Sequence, residues 1–290
     1  MYRPRGVLAK TLYSKCLADE KLEMFEKDKW YFCDLTGLHG DIALLFLPLN
    51  MDEETHVFLN KAITKSEWVL TQIWHSVARV LLSWFLSQTS INGLLGRGSM
   101  FVFSRGQFLR LLSTNSDWRR ESLLDLGAGD GATTEIIAPL FKRVFTTEVS
   151  PPMRWTLQRK GFSILHAEEW KKSEMQYDVI TCLNLLDRCD HPWSLLRSLR
   201  AALAPNGRLV VALVLPFQPY VEIGRVDHQP SERLPIQGST FEEQAQSAIE
   251  DVFVPAGFIV LCWTRLPYLC EGDLNQAYYW LDDAVFVLQV

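Results

Sequence analysis

From Ser122 to the C-terminus, short apolar runs alternate with segments whose apolar residues recur at helical spacing. The runs predict strands over 123–126, 144–147, 162–165, 177–182, 208–215, 258–264 and 284–288, with helices over 133–140, 151–160, 193–203 and 241–254 between them. Alternation of this kind predicts an α/β domain: a seven-stranded, mostly parallel sheet with helices on both faces. Ser150, followed by Pro151 and Pro152, fits a helix N-cap with proline in the first turn. Upstream, as far as about Asn115, the pattern is helical. Trp68, Ile73, Trp74, Val77, Val80, Leu81, Trp84 and Phe85 form a stripe predicted to be a packing face. With only Lys65 and Arg79 basic nearby, a membrane-surface helix is the weaker reading. The glycine-rich and polar stretch 90–99 predicts a loop laid close to a ligand, or a plain turn. The chain therefore divides into an N-terminal helical extension and linker, 1–115, and an α/β domain, 116–290.

Composition narrows the function classes. At 290 residues, 48% of them apolar and 22% charged, the chain supports one large domain with a sizeable core and one active site. A net charge of -5 offers no broad basic surface, so nucleic acid is not expected as a partner. Cys16, Cys33, Cys182, Cys189, Cys262 and Cys270 show no metal-ligand spacing and read as free, buried thiols. The six histidines, His75 and His191 among them, show none either, so no metal is predicted. No apolar run reaches about 18 residues, and 42–49 is too short to span a bilayer. Arg3, Arg5, Lys10 and Lys15, with no acid before Asp19, faintly suggest a transit peptide.

The strongest chemical signal is Asp125-Leu126-Gly127-Ala128-Gly129-Asp130-Gly131, where a strand ends and a helix begins. Glycines there let the backbone turn sharply and approach a ligand, while free amides at the helix start suit a carboxylate. S-adenosylmethionine carries an amino-acid head of that kind, whose ammonium Asp125 can hold directly or through water. The glycines also satisfy a loose dinucleotide pattern through Gly127, Gly129 and Ala132. Asp125 two residues before the first glycine, with a third glycine at 131, favours the methyltransferase form. Glu148, closing the next strand, suits the two ribose hydroxyls of an adenosine ligand or a solvated strand end. Tyr177 to Asp187 is an apolar strand ending in polar side chains, where ligands of such sheets sit. Glu168, Glu169 and Trp170 fall where adenine is commonly recognised, with Trp170 equally suited to packing.

Longer strings go further. Residues 89–103, the glycine loop, 182–190, 214–217, 264–273 and the tail 278–287 resemble the protein-L-histidine N-pros-methyltransferases, also called methyltransferase-like protein nine, over roughly residues 55–290. The resemblance implies a Rossmann-like class I fold, S-adenosylmethionine as donor with S-adenosylhomocysteine as product, and methylation of the pros nitrogen of histidine in His-x-His segments of proteins, x being small. Family members can carry a hydrophobic N-terminal segment that this chain lacks, so localisation stays open: the cytoplasm is expected, with endoplasmic reticulum or mitochondrion as the alternatives the resemblance implies; a monomer is expected. Departures also fall in 34–50.

Methyl transfer to imidazole needs the neutral ring aligned in-line, with the proton on the other nitrogen. A carboxylate at the tele nitrogen would hold that tautomer and stabilise the cation formed. Asp187 is the choice, since the resemblance also places a substrate contact there; an N-cap or an ion pair with Arg188 or Arg197 is its plainer role. Asn184 is expected to orient that loop or touch the cofactor. The resemblance sets Tyr279 at the substrate pocket. Arg97 with its neighbouring glycines is expected to cap the cofactor, and Arg265, Tyr268 and Glu271 to shape the peptide groove. Competing readings are a class I methyltransferase acting on a small molecule or RNA, a non-catalytic cofactor-binding protein of the same fold, and an NAD-dependent oxidoreductase.

Overall fold

The computed structural model describes residues 6–84, 88–172, 175–221 and 227–290; Arg3, Arg5 and Phe85 lie outside them. Among the described residues, eight strands form one sheet: β1 Met100–Phe101, β2 Arg120–Leu126, β3 Phe141–Thr147, β4 Ser163–Leu165, β5 Tyr177–Leu183, β6 Leu203–Val214, β7 Ile259–Glu271 and β8 Tyr278–Gln289. Their order is β1-β7-β8-β6-β5-β2-β3-β4. Strands β2 to β6 pair in parallel, whereas β8 runs antiparallel to both β6 and β7, and β1 antiparallel to β7. The sheet is thus mixed and eight-stranded, where seven mostly parallel strands were expected. The extra strand is β1, whose two residues are too short to carry a period of their own. Strand order reverses at β2, which has β3 on one side and β5 on the other, and that crevice is where ligands of such sheets bind.

Among the described residues, ten α-helices accompany the sheet: α1 Val7–Met24, α2 Gly40–Leu44, α3 Glu53–Ser66, α4 Val69–Leu82, α5 Gln88–Leu95, α6 Arg105–Leu111, α7 Ala132–Ile137, α8 Pro151–Arg159, α9 Pro192–Ala202 and α10 Phe241–Ser247. Two clusters of buried side chains lie about the sheet. One includes Leu196, Leu199, Val252, Trp263 and Phe286; the other joins Trp30, Leu59, Phe103 and Phe108 to Leu123, Val179 and Val285. The N-terminal helices therefore share a core with the sheet. At about 1.5–3 kcal/mol for each fully buried large side chain, this packing is the main stabilising contribution.

Four expectations need correction. The stripe on α4 is not a packing face: Trp68, Trp74, Val77, Val80, Leu81 and Trp84 are all exposed, and the helix buries only Gln72 and Ala78. Periodicity fixes which side chains share a face, but not whether the chain has anything to lay over it. Most of 90–99 is helical, because α5 continues to Leu95; only the end is a loop, with Gly96 and Gly98 at positive φ. Ser150 precedes α8 but makes no side-chain cap; its hydroxyl lies 3.0 Å from that of Ser90 and ties α5 to the start of α8. Among the cysteines, all free, only Cys33 and Cys182 are fully buried, and Cys16 is exposed. No helix among the described residues is long and apolar enough to cross a membrane.

Candidate active site

The carboxyl ends of β2, β3 and β5 meet around the glycine loop. Gly127, Gly129 and Gly131 take φ of 66°, 58° and 77°, the left-handed region that glycine enters without steric cost. The loop is stitched down from within. Gly127 and Ala128 donate to Thr147, Gly129 donates to Glu148 Oε2 at 3.0 Å, and Ala132 donates to Asp130. The amides expected to be free are therefore largely engaged, because a loop this tight must satisfy its own backbone. In front of Gly129 there is open space: a Cβ built there would meet nothing within 4 Å.

Asp125 lies beneath the loop, buried, and both its oxygens are engaged, Oδ1 by Thr181 at 2.7 Å and Oδ2 by Thr134 at 2.5 Å. Burial pushes its carboxyl up to about 6, against the lowering pull of the two hydroxyls. Its visible work is to anchor the loop. Glu148, at the tip of β3, is likewise buried and accepts from the amides of Gly129, Val149 and Ser150. Beside it the side chain of Val149 is 69% exposed, an apolar surface next to an acid. Trp170 is a packing residue, 2% exposed in the core, and Glu168 pairs with Lys171.

A second group of polar side chains gathers beyond β5. Asn184 takes φ 51°, uncommon for a residue with a side chain, and its amide nitrogen donates to Asp283 Oδ2 at 2.8 Å. Asp187 is 3% exposed; its Oδ2 faces Arg188 Nε at 3.0 Å, which realises the plainer ion-pair reading for one oxygen. The other is left over. Asn184 Oδ1, Asp187 Oδ1 and Asp283 Oδ1 are all buried with no hydrogen-bond partner among the described residues. Burial raises the carboxyls of Asp187 and Asp283, the latter strongly and further through the charge of Asp187. Tyr268 joins this group: burial raises its hydroxyl, as do the charges of Asp283, Cys270 and Asp187, and the hydroxyl is set against Met100 Sδ.

Tyr279 sits in a different group. Its hydroxyl donates to Asp273 Oδ1 at 2.9 Å, and Arg97 faces the other oxygen of Asp273 at 3.9 Å. Burial, then the hydrogen bond to Asp273, push the tyrosine up to about 12. Cys270 lies between the two groups: burial raises its thiol, the charges of Glu271, Arg97, Asp130 and Asp273 act on it, and its own charge acts on Tyr268. His75 is half-buried, and burial, then the charge of Arg97, lowers the pKa of its ring. Tyr279 also borders an open groove of about 640 Å³ between α1 and the β7–β8 hairpin, with Leu17, Lys21, Phe25 and Trp280 on its walls.

Two groove residues named from the sequence are committed elsewhere. Glu271 is buried and pairs with Lys65 at 2.6 Å, joining α3 to β7. Arg265 pairs with Asp282 at 3.0 Å, donates to the Phe32 carbonyl and lies over the Phe241 ring. Asp273 and Asp283 were missed. The signal was available for Asp283, a second acid in the otherwise apolar run 278–287.

A doubly wound α/β sheet, with a glycine loop at its switch point and an acid at the next strand tip, defines a Rossmann-like methyltransferase domain. The chain belongs to the DREV methyltransferase family, whose sequence profile matches residues 30–290. A shorter similarity, 30% identity over 105 residues, is to the mitochondrial ubiquinone biosynthesis O-methyltransferase of Schizosaccharomyces pombe; it covers 32% of this chain and 38% of that relative's length. Among solved structures, the N-methyltransferase NodS of Bradyrhizobium japonicum in complex with S-adenosyl-L-homocysteine matches with 19% identity and a TM-score of 0.41, over 63% of this chain and 84% of its own. A SAM-dependent methyltransferase of Leishmania major matches with 14% identity and a TM-score of 0.43, over 64% and 71%.

Proposed function

We propose that this chain transfers a methyl group from S-adenosylmethionine to the pros nitrogen of histidine in His-x-His segments of proteins or peptides, x being small, and releases S-adenosylhomocysteine. The observation that carries the reading is Asp187 Oδ1, a buried carboxylate oxygen with no donor among the described residues, on the loop that follows β5 at the strand tips. A buried acceptor left over is costly unless a ligand completes it.

The donor fits the loop on two counts: the open space before Gly129 admits a group that any side chain there would exclude, and Glu148 stands at the strand tip where two adjacent hydroxyls are best accepted. When bound, S-adenosylmethionine supplies an electrophilic methyl carbon on a sulfonium. The tight backbone of Gly127, Ala128, Gly129 and Gly131 would form the surface against which its amino-acid head lies, and Glu148 would hold its ribose, with Asp125 fixing the loop from below. Arg97 and Asn184 would complete that site.

The remaining work is alignment. The acceptor ring attacks as neutral imidazole, and Asp187 Oδ1 accepts the N–H of its tele nitrogen, which leaves the pros lone pair free to face the methyl. As the ring becomes cationic, the carboxylate stabilises it and is the first acceptor for the tele proton. Tyr279, whose hydroxyl in the free protein donates to Asp273 Oδ1, turns that hydroxyl to the ring, and the groove beside it gives the flanking peptide a path.

The test is mass spectrometry of a His-Ala-His peptide incubated with enzyme and donor. One methyl increment on a histidine is expected, lost when either histidine is replaced by alanine. An unmodified peptide alongside turnover on RNA or a small molecule would replace this reading with the wider one.

A further inference from the structure

Asn184 holds its left-handed backbone between two anchors. Its main-chain amide donates to the Ala212 carbonyl at 3.0 Å, and its side-chain nitrogen donates to Asp283 Oδ2 at 2.8 Å. Asp283 lies on β8, opposite Val214 of β6, and is fully buried. An asparagine side chain has a donor end and an acceptor end, and the two look alike in shape. With the donor end committed to Asp283 Oδ2, the acceptor end faces away from it. That acceptor, Asn184 Oδ1, is buried and has no partner among the described residues, like Asp187 Oδ1 three residues on.

We propose that Asp283 is a positioning residue: by accepting from Asn184 Nδ2 it fixes Asn184 Oδ1 as an acceptor for a nitrogen-bound hydrogen of a ligand at the strand tips. This rests on the reading of those tips as the methyl-transfer site. The shared ligand chemistry is an N–H group, available from the ammonium of the donor's amino-acid head or from the acceptor's ring or peptide.

The groups that face Asp283 make the arrangement specific. Asp282 is its chain neighbour and pairs with Arg265, Asp187 approaches from the loop after β5 and pairs with Arg188, and Tyr268 approaches from β7. A fully buried acid among two other acids is expensive to keep for packing alone. Leucine or valine would fill the same strand position at no such cost. Holding one amide in a single orientation is a use that only an acceptor can serve.

The test is Asp283→Asn, which keeps the shape and lets Asn184 turn over. In the free protein, the Asn184 side-chain amide resonances, assigned by their loss in Asn184→Ala, should move upfield or split in Asp283→Asn, with the melting temperature within a few degrees of wild type. Kinetically, Asp283→Asn should weaken one ligand tenfold or more: the donor by calorimetry if the N–H is its ammonium, or the peptide KM if it belongs to the acceptor. In an Asn184→Ala background the same substitution should change neither further, as expected of a residue acting through its neighbour. Unmoved resonances, additive losses in the double variant, or unchanged affinity for both ligands would each overturn the proposal. Failure of the histidine reading looks different: wild type would leave the peptide unmodified while the Asn184 resonances still answered to Asp283.

Discussion

Asp187→Asn keeps the size of the side chain and removes its charge. In the native chain Oδ2 is held by Arg188 at 3.0 Å and Oδ1 has no partner among the described residues; if Oδ1 serves the ring as proposed, the substitution takes from the transition state one hydrogen bond to a charged group. Such a bond contributes about 1.5–3 kcal/mol, which corresponds to about a 10- to 150-fold fall in kcat. Asparagine also offers an N–H where an acceptor is needed, which favours the wrong ring tautomer and pushes the loss toward the upper end. Stability should move the other way. Burial raises the Asp187 carboxyl, so ionisation costs the folded state; whatever the acid contributes is full below its unfolded pKa and is lost as pH rises through the folded one. At pH 7 the asparagine variant should therefore melt no lower than wild type. The same shift sets the acid limb of the wild-type rate. As pH falls through the raised Asp187 pKa and the ring's own value near 6.5, both carboxylate and neutral imidazole are lost, so kcat/KM should drop below neutrality. Steady-state methylation of a His-Ala-His peptide, with calorimetry confirming unchanged donor affinity, is the assay. A variant with wild-type kcat would refute the role given to this carboxylate.

Three further outcomes are expected. Gly129→Arg fills the open space before the loop and should abolish donor binding in calorimetry; normal affinity would remove the loop from the donor site. Asp125→Asn should gain melting temperature over wild type as pH rises from about 4 through 6, since the native acid is raised to about 6 and is stabilising only while protonated; a difference constant with pH would contradict this. Gly131→Ala places a methyl 2.7 Å from Leu157 Cδ2 at a φ of 77°, so a loss of about 1–3 kcal/mol should appear in urea unfolding, and an unchanged midpoint would refute the strain.

What the sequence made legible is local. The strands of 120–214 and the helices between them announce themselves because each carries its own period, and the loop at 125–131 because its glycines are forced by backbone geometry. What it hid is long-range. Asp283 meets Asn184 across 99 positions, and Glu271 meets Lys65 across 206, so neither partnership leaves a mark in either segment. The stripe of α4 shows the same limit from the other side: its pattern was read correctly as one face, but burial is decided by what the rest of the chain supplies. The helix over 88–95 was obscured by Gly93, which reads as a loop residue and in fact lets α5 approach Met153 of α8.

The central claim is that a carboxylate at position 187 selects the ring nitrogen that is methylated. Nitrogen-15 NMR of a ring-labelled His-Ala-His peptide after turnover tests it most directly. The account predicts the methyl on the pros nitrogen alone; methyl on the tele nitrogen, or on both, would contradict it.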